Sequence, residues 1–181
     1  MKLLYFPGLI SIIDNSYDLA TSCKLIHLHD ICDCTVFDYK TFDPEETIRY
    51  IKGFDVLFGS SFGGFYAFFL SLVTGQKCIS INPSLYLDKR FSLLSQQYPD
   101  KLAFIKQEHL TALVKEPVRE ENKNIHVLMN LDDEKLSAEK VLSIAEKYCC
   151  NIYTFEKGGH DSSNFIGEML PLIKQLLIDN K

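Results

Sequence analysis

Apolar positions along this chain come in short runs divided by polar turns, and the spacing within the runs switches between the strand and helix periods. Lys2–Phe6 is a largely apolar block closed by Pro7-Gly8, which predicts a short buried strand. Residues 14–27 predict a helix. Residues 35–39, Thr-Val-Phe-Asp-Tyr, are rich in β-branched and aromatic types and predict a second strand. Asp43-Pro44-Glu45-Glu46 is a helix start, with a capping side chain, proline at the first helical position and acids on the first turn. That helix runs to Gly53, a C-terminal cap. Residues 54–58 predict a third strand, residues 65–73 a helix closed by Gly75, and residues 77–82 a fourth strand. Residues 124–130 predict a fifth. Ala138, Val141, Leu142, Ala145 and Tyr148 then share one face of an amphipathic helix. Residues 151–155 alternate as a sixth strand, and Ile166, Met169, Leu170, Ile173, Leu176 and Leu177 predict a last helix, kinked or offset near Pro171.

Strand and helix thus alternate six times, which predicts an α/β fold: a doubly wound, mostly parallel six-stranded sheet with helices on both faces. Residues 83–123 carry no strand pattern. Their two helical pieces, near 89–97 and 101–115, predict a small helical cap over the C-terminal edge of the sheet. No repeat, low-complexity tract or linker divides the 181 residues, which suffice for one domain, 1–181, with a full core.

Charge and composition then narrow the function classes. The 19 basic and 24 acidic residues give a net charge of −5 and are interspersed. Without a basic stripe, nucleic acid is not an expected partner. Residues 56–76 hold no charge, a length that would span a bilayer, and Gly59 and Gly63 also form a Gly-x-x-x-Gly helix-pairing pattern. Lys52 and Lys77 flank the stretch symmetrically, however, and four glycines and Ser60-Ser61 interrupt it. A buried strand running into a buried helix gives the same uncharged stretch, so no membrane insertion is expected. Residues 1–13 resemble a short signal peptide and Ala20-Thr21-Ser22-Cys23 a lipoprotein cleavage site, but Pro7-Gly8 breaks the run and Asp14 and Asp18 charge its approach to cleavage. Cys23, Cys32, Cys34, Cys78, Cys149 and Cys150 form no disulfide framework, and His27 and His29 beside Cys32 lack the spacing of zinc ligands. Reduced thiols, no metal and a cytoplasmic location are expected.

The chemistry concentrates at Gly59-Ser60-Ser61-Phe62-Gly63-Gly64, a Gly-x-Ser-x-Gly pattern between a strand and a helix. The bare pattern recurs by chance; its setting gives it meaning, because a sharp strand-to-helix turn lifts a serine hydroxyl clear of the backbone. Such a hydroxyl needs a base to take its proton and an acid to orient the base. Loops after parallel strands share one sheet edge. Asp132 and Asp133 follow the fifth strand, and His160, in Lys157-Gly158-Gly159-His160, follows the sixth. Ser61, His160 and Asp133 are therefore the candidate catalytic residues. Asp132 is the reserve acid, because Asp133-Glu134-Lys135-Leu136 better matches the Asp-x-x-apolar spacing of such loops; Asp161 adjoins the histidine and is poorly placed to face its ring. Taken singly, an acid pair is a solvated loop, Gly-Gly a turn and the histidine a surface residue; order and placement together carry the reading. Two donors must face an oxyanion. The N–H of Phe62, directly after the serine, is one candidate, and that of Leu9 in the loop after the first strand is the other, with Ile10 next. Phe62 and Tyr66 are the candidates to line an acyl pocket.

Together these residues resemble the α/β-hydrolase superfamily, and more closely the small bacterial YqiA/YcfP-like esterases. The resemblance rests on Gly59-Ser60-Ser61-Phe62-Gly63-Gly64-Phe65-Tyr66-Ala67, Ile81-Asn82-Pro83, Asp133-Glu134-Lys135-Leu136 and Glu156-Lys157-Gly158-Gly159-His160, and it runs along nearly the whole chain apart from the middle excursion. Two positions depart from it. Pro7-Gly8 stands where those proteins usually have His-Gly, and Gly159 meets His160 directly where they commonly place an asparagine between. The resemblance implies a serine hydrolase that cleaves a small-molecule ester or thioester through an acyl-enzyme, with an oxyanion hole and no metal or organic cofactor. The alternative is a non-catalytic binding or scaffold protein on the same fold, which the altered first loop favours.

Overall fold

The computed structural model describes residues 1–14, 23–115 and 122–178. Six strands make one all-parallel sheet: β1 (Lys2–Phe6), β2 (Asp33–Val36), β3 (Val56–Ser60), β4 (Lys77–Ile81), β5 (Ile125–Asn130) and β6 (Asn151–Phe155). Their order is β2-β1-β3-β4-β5-β6, and the predicted doubly wound α/β class holds. Parallel neighbours require crossovers. Among the described residues the helices are α1 (Leu9–Ile13), α2 (Cys23–His29), α3 (Pro44–Ile51), α4 (Phe62–Thr74), α5 (Leu87–Gln97), α6 (Pro99–Leu102), α7 (Gln107–Lys115), α8 (Ala138–Lys147) and α9 (Leu170–Ile178).

Strand alternation sorts the core into two layers. Leu4, Phe6, Leu57, Val127 and Met129 pack with residues of α3, α4 and α8, whereas Leu3, Tyr5, Val56, Phe58 and Leu128 pack with α2 and α9. Each large apolar side chain so buried contributes roughly 1.5–3 kcal/mol, which is why the central strands are apolar on both faces. Helix α4 is buried on all sides from Phe62 to Leu72, so β3 and α4 together account for the uncharged stretch 56–76. Among the described residues no helix is long and apolar enough to cross a membrane.

Several predicted boundaries move, each for a local reason. The helix expected over 14–27 is preceded by α1, which closes at Asp14, whose N–H donates to the Ile10 carbonyl at 2.9 Å. Residues 15–22 of that expectation lie outside the described residues, and α2 begins at Cys23. The second strand covers 33–36 rather than 35–39, because the Asp38 carboxylate accepts the Lys40 N–H at 3.0 Å and turns the chain into a 3-10 turn at Tyr39–Thr41. Tyr39 is thereby swung into the core. Helix α4 starts at Phe62, not 65, since Gly63 and Gly64 serve close packing inside the helix instead of extending the turn. The described residues of the excursion hold three helices instead of two, the middle one opened by Pro99 at its first position. The offset expected near Pro171 takes the form of a π-helical turn, Phe165–Met169, directly before α9. Pro171 has no N–H to donate to Gly167, so the ladder is already irregular there.

Candidate active site

Sheet order reverses at β1, which has β2 on one side and β3 on the other. Such switch points open a crevice outside the strand C-termini, and here it receives Pro7-Gly8-Leu9 from β1 and Ser61 from β3. Ser61 has φ 54° and ψ −115°, a conformation that costs a non-glycine residue on the order of 1–3 kcal/mol. Its surroundings hold it there. The Ser61 N–H donates to the Ile81 carbonyl at 2.9 Å, and the Ser84 N–H donates to the Ser61 carbonyl at 3.0 Å. A Cβ on Gly59 would meet the Gly63 carbonyl oxygen at 2.3 Å, and one on Gly63 would meet the Phe6 carbonyl oxygen at 1.9 Å. The two glycines thus let β1, β3 and the start of α4 pack backbone against backbone.

His160 bridges the other two predicted residues. Its Nε2 lies 2.8 Å from Ser61 Oγ and its Nδ1 2.8 Å from Asp133 Oδ2. The Asp133 side chain is 0% exposed and that of His160 10%. The free oxygen of Asp133 accepts the N–H groups of Lys135 and Leu136, each at 2.9 Å, which is the physical content of the Asp-x-x-apolar spacing. Burial pushes the Asp133 carboxyl up, but hydrogen bonds from His160, Leu136 and Lys135, together with the charge of His160, outweigh it and hold the group below its ordinary value.

The neighbouring acids do different work. Asp132 accepts the Gly159 N–H at 2.8 Å and the Gly158 N–H at 3.2 Å, so it braces the loop that carries the histidine. Glu134 accepts the His160 N–H at 3.0 Å. Asp161 is largely exposed and pairs with Lys135 at 3.2 Å. Gly158 and Gly159 have φ of 151° and 61°, and a Cβ on Gly158 would strike Asn164 Oδ1 at 2.2 Å.

Sequence reasoning assigned no role to Asn82, Asn130 or Tyr39. Asn82 is fully buried, and its amide donates to the carbonyls of Gly159 and His160, each at 3.0 Å, and to Ser162 Oγ at 3.2 Å. Its carbonyl oxygen accepts the Asn130 N–H at 2.8 Å, and the Asn130 amide donates to the Gly159 carbonyl at 2.8 Å. Both asparagines stand where a buried strand ends. A β-depleted type at that place was the signal available. Tyr39 donates its hydroxyl to the Pro7 carbonyl at 2.8 Å and so ties down the loop after β1.

A cavity of about 780 Å³ opens beside Ser61 and His160, and Gly8, Leu9, Ile10 and Phe62 line it. Leu9 and Phe62 are the first residues of α1 and α4, where backbone N–H groups have no intrahelical acceptor. Tyr66 does not line this cavity. It is 1% exposed, packed among the rings of Phe6, Tyr39, Phe42 and Phe62, so its expected place in a pocket gives way to a place in the core. Cys34, Cys78 and Cys150 are pushed up to about 12, chiefly by burial, and remain thiols.

A switch-point crevice with a serine on a strand-to-helix turn defines the class: the chain has the α/β-hydrolase fold. It is similar to a protein of Xanthomonas campestris pv. campestris placed in that superfamily, with a TM-score of 0.60 at 14% identity over 97% of each chain. It is also similar to Est1E from Butyrivibrio proteoclasticus, with a TM-score of 0.63 at 10% identity over 98% of this chain and 87% of that one. Human thioesterase 2 gives a TM-score of 0.55 at 14% identity over 98% and 94%. No protein of curated function matches the sequence. The chain belongs to the uncharacterised protein family UPF0227, whose profile matches residues 45–177, in agreement with the YqiA/YcfP-like resemblance.

Proposed function

We propose that the protein is a serine hydrolase of small-molecule esters or thioesters that works through an acyl-enzyme. The observation that carries this reading is the continuous hydrogen-bonded line from Ser61 Oγ through His160 to Asp133, at 2.8 Å on each side. In this reading His160 takes the Ser61 proton as the hydroxyl attacks the carbonyl carbon, and Asp133 orients the ring and stabilises its charged form. The N–H groups of Phe62 and Leu9 receive the oxyanion. His160 then returns the proton to the departing alcohol or thiol, and a water molecule, activated the same way, releases the acid. The residues invoked need no metal or cofactor for any of these steps. Esterases and a thioesterase among the structural relatives favour the same class. We further read residues 1–181 as one catalytic domain in which 83–123 caps the site, working in the cytoplasm on a substrate that is neither nucleic acid nor membrane-embedded.

An active-site fluorophosphonate tests the proposal. Labelling of the wild type that Ser61→Ala abolishes and His160→Ala severely weakens is expected. Equal labelling of wild type and Ser61→Ala, or none of either alongside no ester hydrolysis, would leave the chain a non-catalytic binding protein on a hydrolase fold.

A further inference from the structure

Helix α5 turns one face to the cavity beside Ser61. Leu87, Arg90, Leu94 and Gln97 all line it, and their spacing of three, four and three residues is that of a single helix stripe. Arg90 is the charged member of that stripe. It is half-buried, and among the described residues no carboxylate pairs with it. Its guanidinium instead lies 5.6 Å from the centre of the Tyr86 ring. Tyr86 is itself fixed, its hydroxyl accepting the Ser137 N–H at 3.1 Å. A cation–π contact holds the arginine in place while leaving its fork of donors without an anion.

The charge around the cavity runs against that of the chain. The protein carries −5 overall, yet the described lining has three cations, Lys24, Arg90 and Lys135, and one carboxylate, Asp161. Lys135 is paired with Asp161 at 3.2 Å, and Lys24 donates to the Asp161 carbonyl at 3.1 Å. Arg90 therefore faces a largely apolar wall of Leu9, Ile10, Leu87 and Leu94 as its one cation without a carboxylate or carbonyl partner among the described residues. A guanidinium half out of water binds carboxylate or phosphate oxygens with charge-assisted, often bidentate hydrogen bonds.

We infer that Arg90 is a substrate-anion receptor: the ester or thioester cleaved at Ser61 carries a carboxylate or phosphate group away from the scissile bond. This deepens the hydrolase reading and rests on it only for the turnover part of its test.

Three matched esters separate the possibilities. Ethyl butyrate is neutral, monoethyl succinate carries a carboxylate on the acyl side, and 2-(butanoyloxy)ethyl phosphate carries a phosphate on the alcohol side. The wild type is expected to show a kcat/KM at least about tenfold higher for one of the anionic esters than for ethyl butyrate, which identifies the anion and its side. Arg90→Gln should lower that ratio roughly ten- to a hundredfold, mainly through KM. Arg90→Lys should recover part of it, and Lys89→Gln, on the exposed side of α5, should keep the wild-type ratio. Binding is read separately by calorimetry on Ser61→Ala protein, which should hold the preferred anionic ester and lose it when Arg90→Gln is added. Equal binding of all three esters with or without Arg90, or a ratio that Arg90→Gln does not move, overturns the inference. Arg90-dependent binding without turnover in the wild type would leave the anion site standing and remove the hydrolase reading alone.

Discussion

The side-chain amide of Asn82, just past the end of β4, donates to the backbone carbonyl of His160 at 3.0 Å, 78 residues further along the chain. The same amide reaches the Gly159 carbonyl, so a buried residue from one strand end sets the height of a loop from another. Asn82→Ala would leave both carbonyls and the Asn130 N–H without this partner. A loss of about 1–3 kcal/mol in stability is expected from the unmade bonds. If Asn82 positions His160, kcat should also fall on the order of 100-fold with KM little changed. Urea unfolding and steady-state ester hydrolysis measure the two effects separately. A stability loss with kcat intact would reduce Asn82 to a packing residue.

Adjacent acids should give unequal losses. Asp133 contacts the imidazole, whereas Asp132 accepts the Gly158 and Gly159 N–H groups. Asp133→Asn should lower kcat roughly 10³- to 10⁴-fold, because an amide there favours the wrong imidazole tautomer. Asp132→Asn keeps one acceptor oxygen and should cost about tenfold or less. Equal rates for the two variants would contradict this division. The Asp133 carboxyl also titrates lower in the folded than in the unfolded chain. Its contribution is therefore full above the ordinary value of 3.8 and is lost as pH falls through the lower folded one. Asp133→Asn should remove that acid limb from the stability profile.

How much of this was legible in the sequence depended on how far each cause lay along the chain. The alternating sheet was readable because strand and helix periods are local, and the strand ends that carry Ser61, Asp133 and His160 follow from it. Asp38 was misread as strand because its own side chain, and not its neighbours' hydrophobicity, turned the backbone. The tie from Tyr39 to Pro7 and the ties from Asn82 to the histidine loop depend on partners 32 and 77–78 residues away. No spacing within one element encodes such contacts. The fate of Tyr66 was hidden for the same reason, since a helix of aromatic residues does not say which ring faces a cavity until its neighbours are in place.

Glycine substitutions should separate sharply by what a Cβ would meet. On Gly63 it would lie 1.9 Å from the Phe6 carbonyl oxygen, backbone that cannot move without parting β1 from α4. Gly63→Ala should destabilise by about 3 kcal/mol or more, as overpacking of fixed elements does. On Gly167, in the π-helical turn, a Cβ meets nothing within 4 Å. Gly167→Ala should be neutral or stabilise by roughly 0.4–1 kcal/mol, by restricting the unfolded chain. Thermal unfolding of the two proteins side by side checks the contrast, and similar midpoints would refute it.

Far from the candidate site, His126 in β5 should make stability sensitive to mild acid. The residue is 8% exposed, its Nδ1 is 3.4 Å from the Tyr153 hydroxyl, and burial, then the charge of Lys77, lowers its pKa from 6.5 to about 4. Below pH 6.5 the unfolded chain takes up a proton that the folded chain refuses until about pH 4. Stability from this residue is therefore complete above 6.5 and lost as pH falls from there towards 4, a change of the order of 3 kcal/mol. His126→Gln keeps a polar group of similar length without the titration, and it should flatten the profile in that window. Denaturant midpoints measured from pH 7.5 to 4 would show this, and identical slopes for wild type and variant would exclude His126 as the cause.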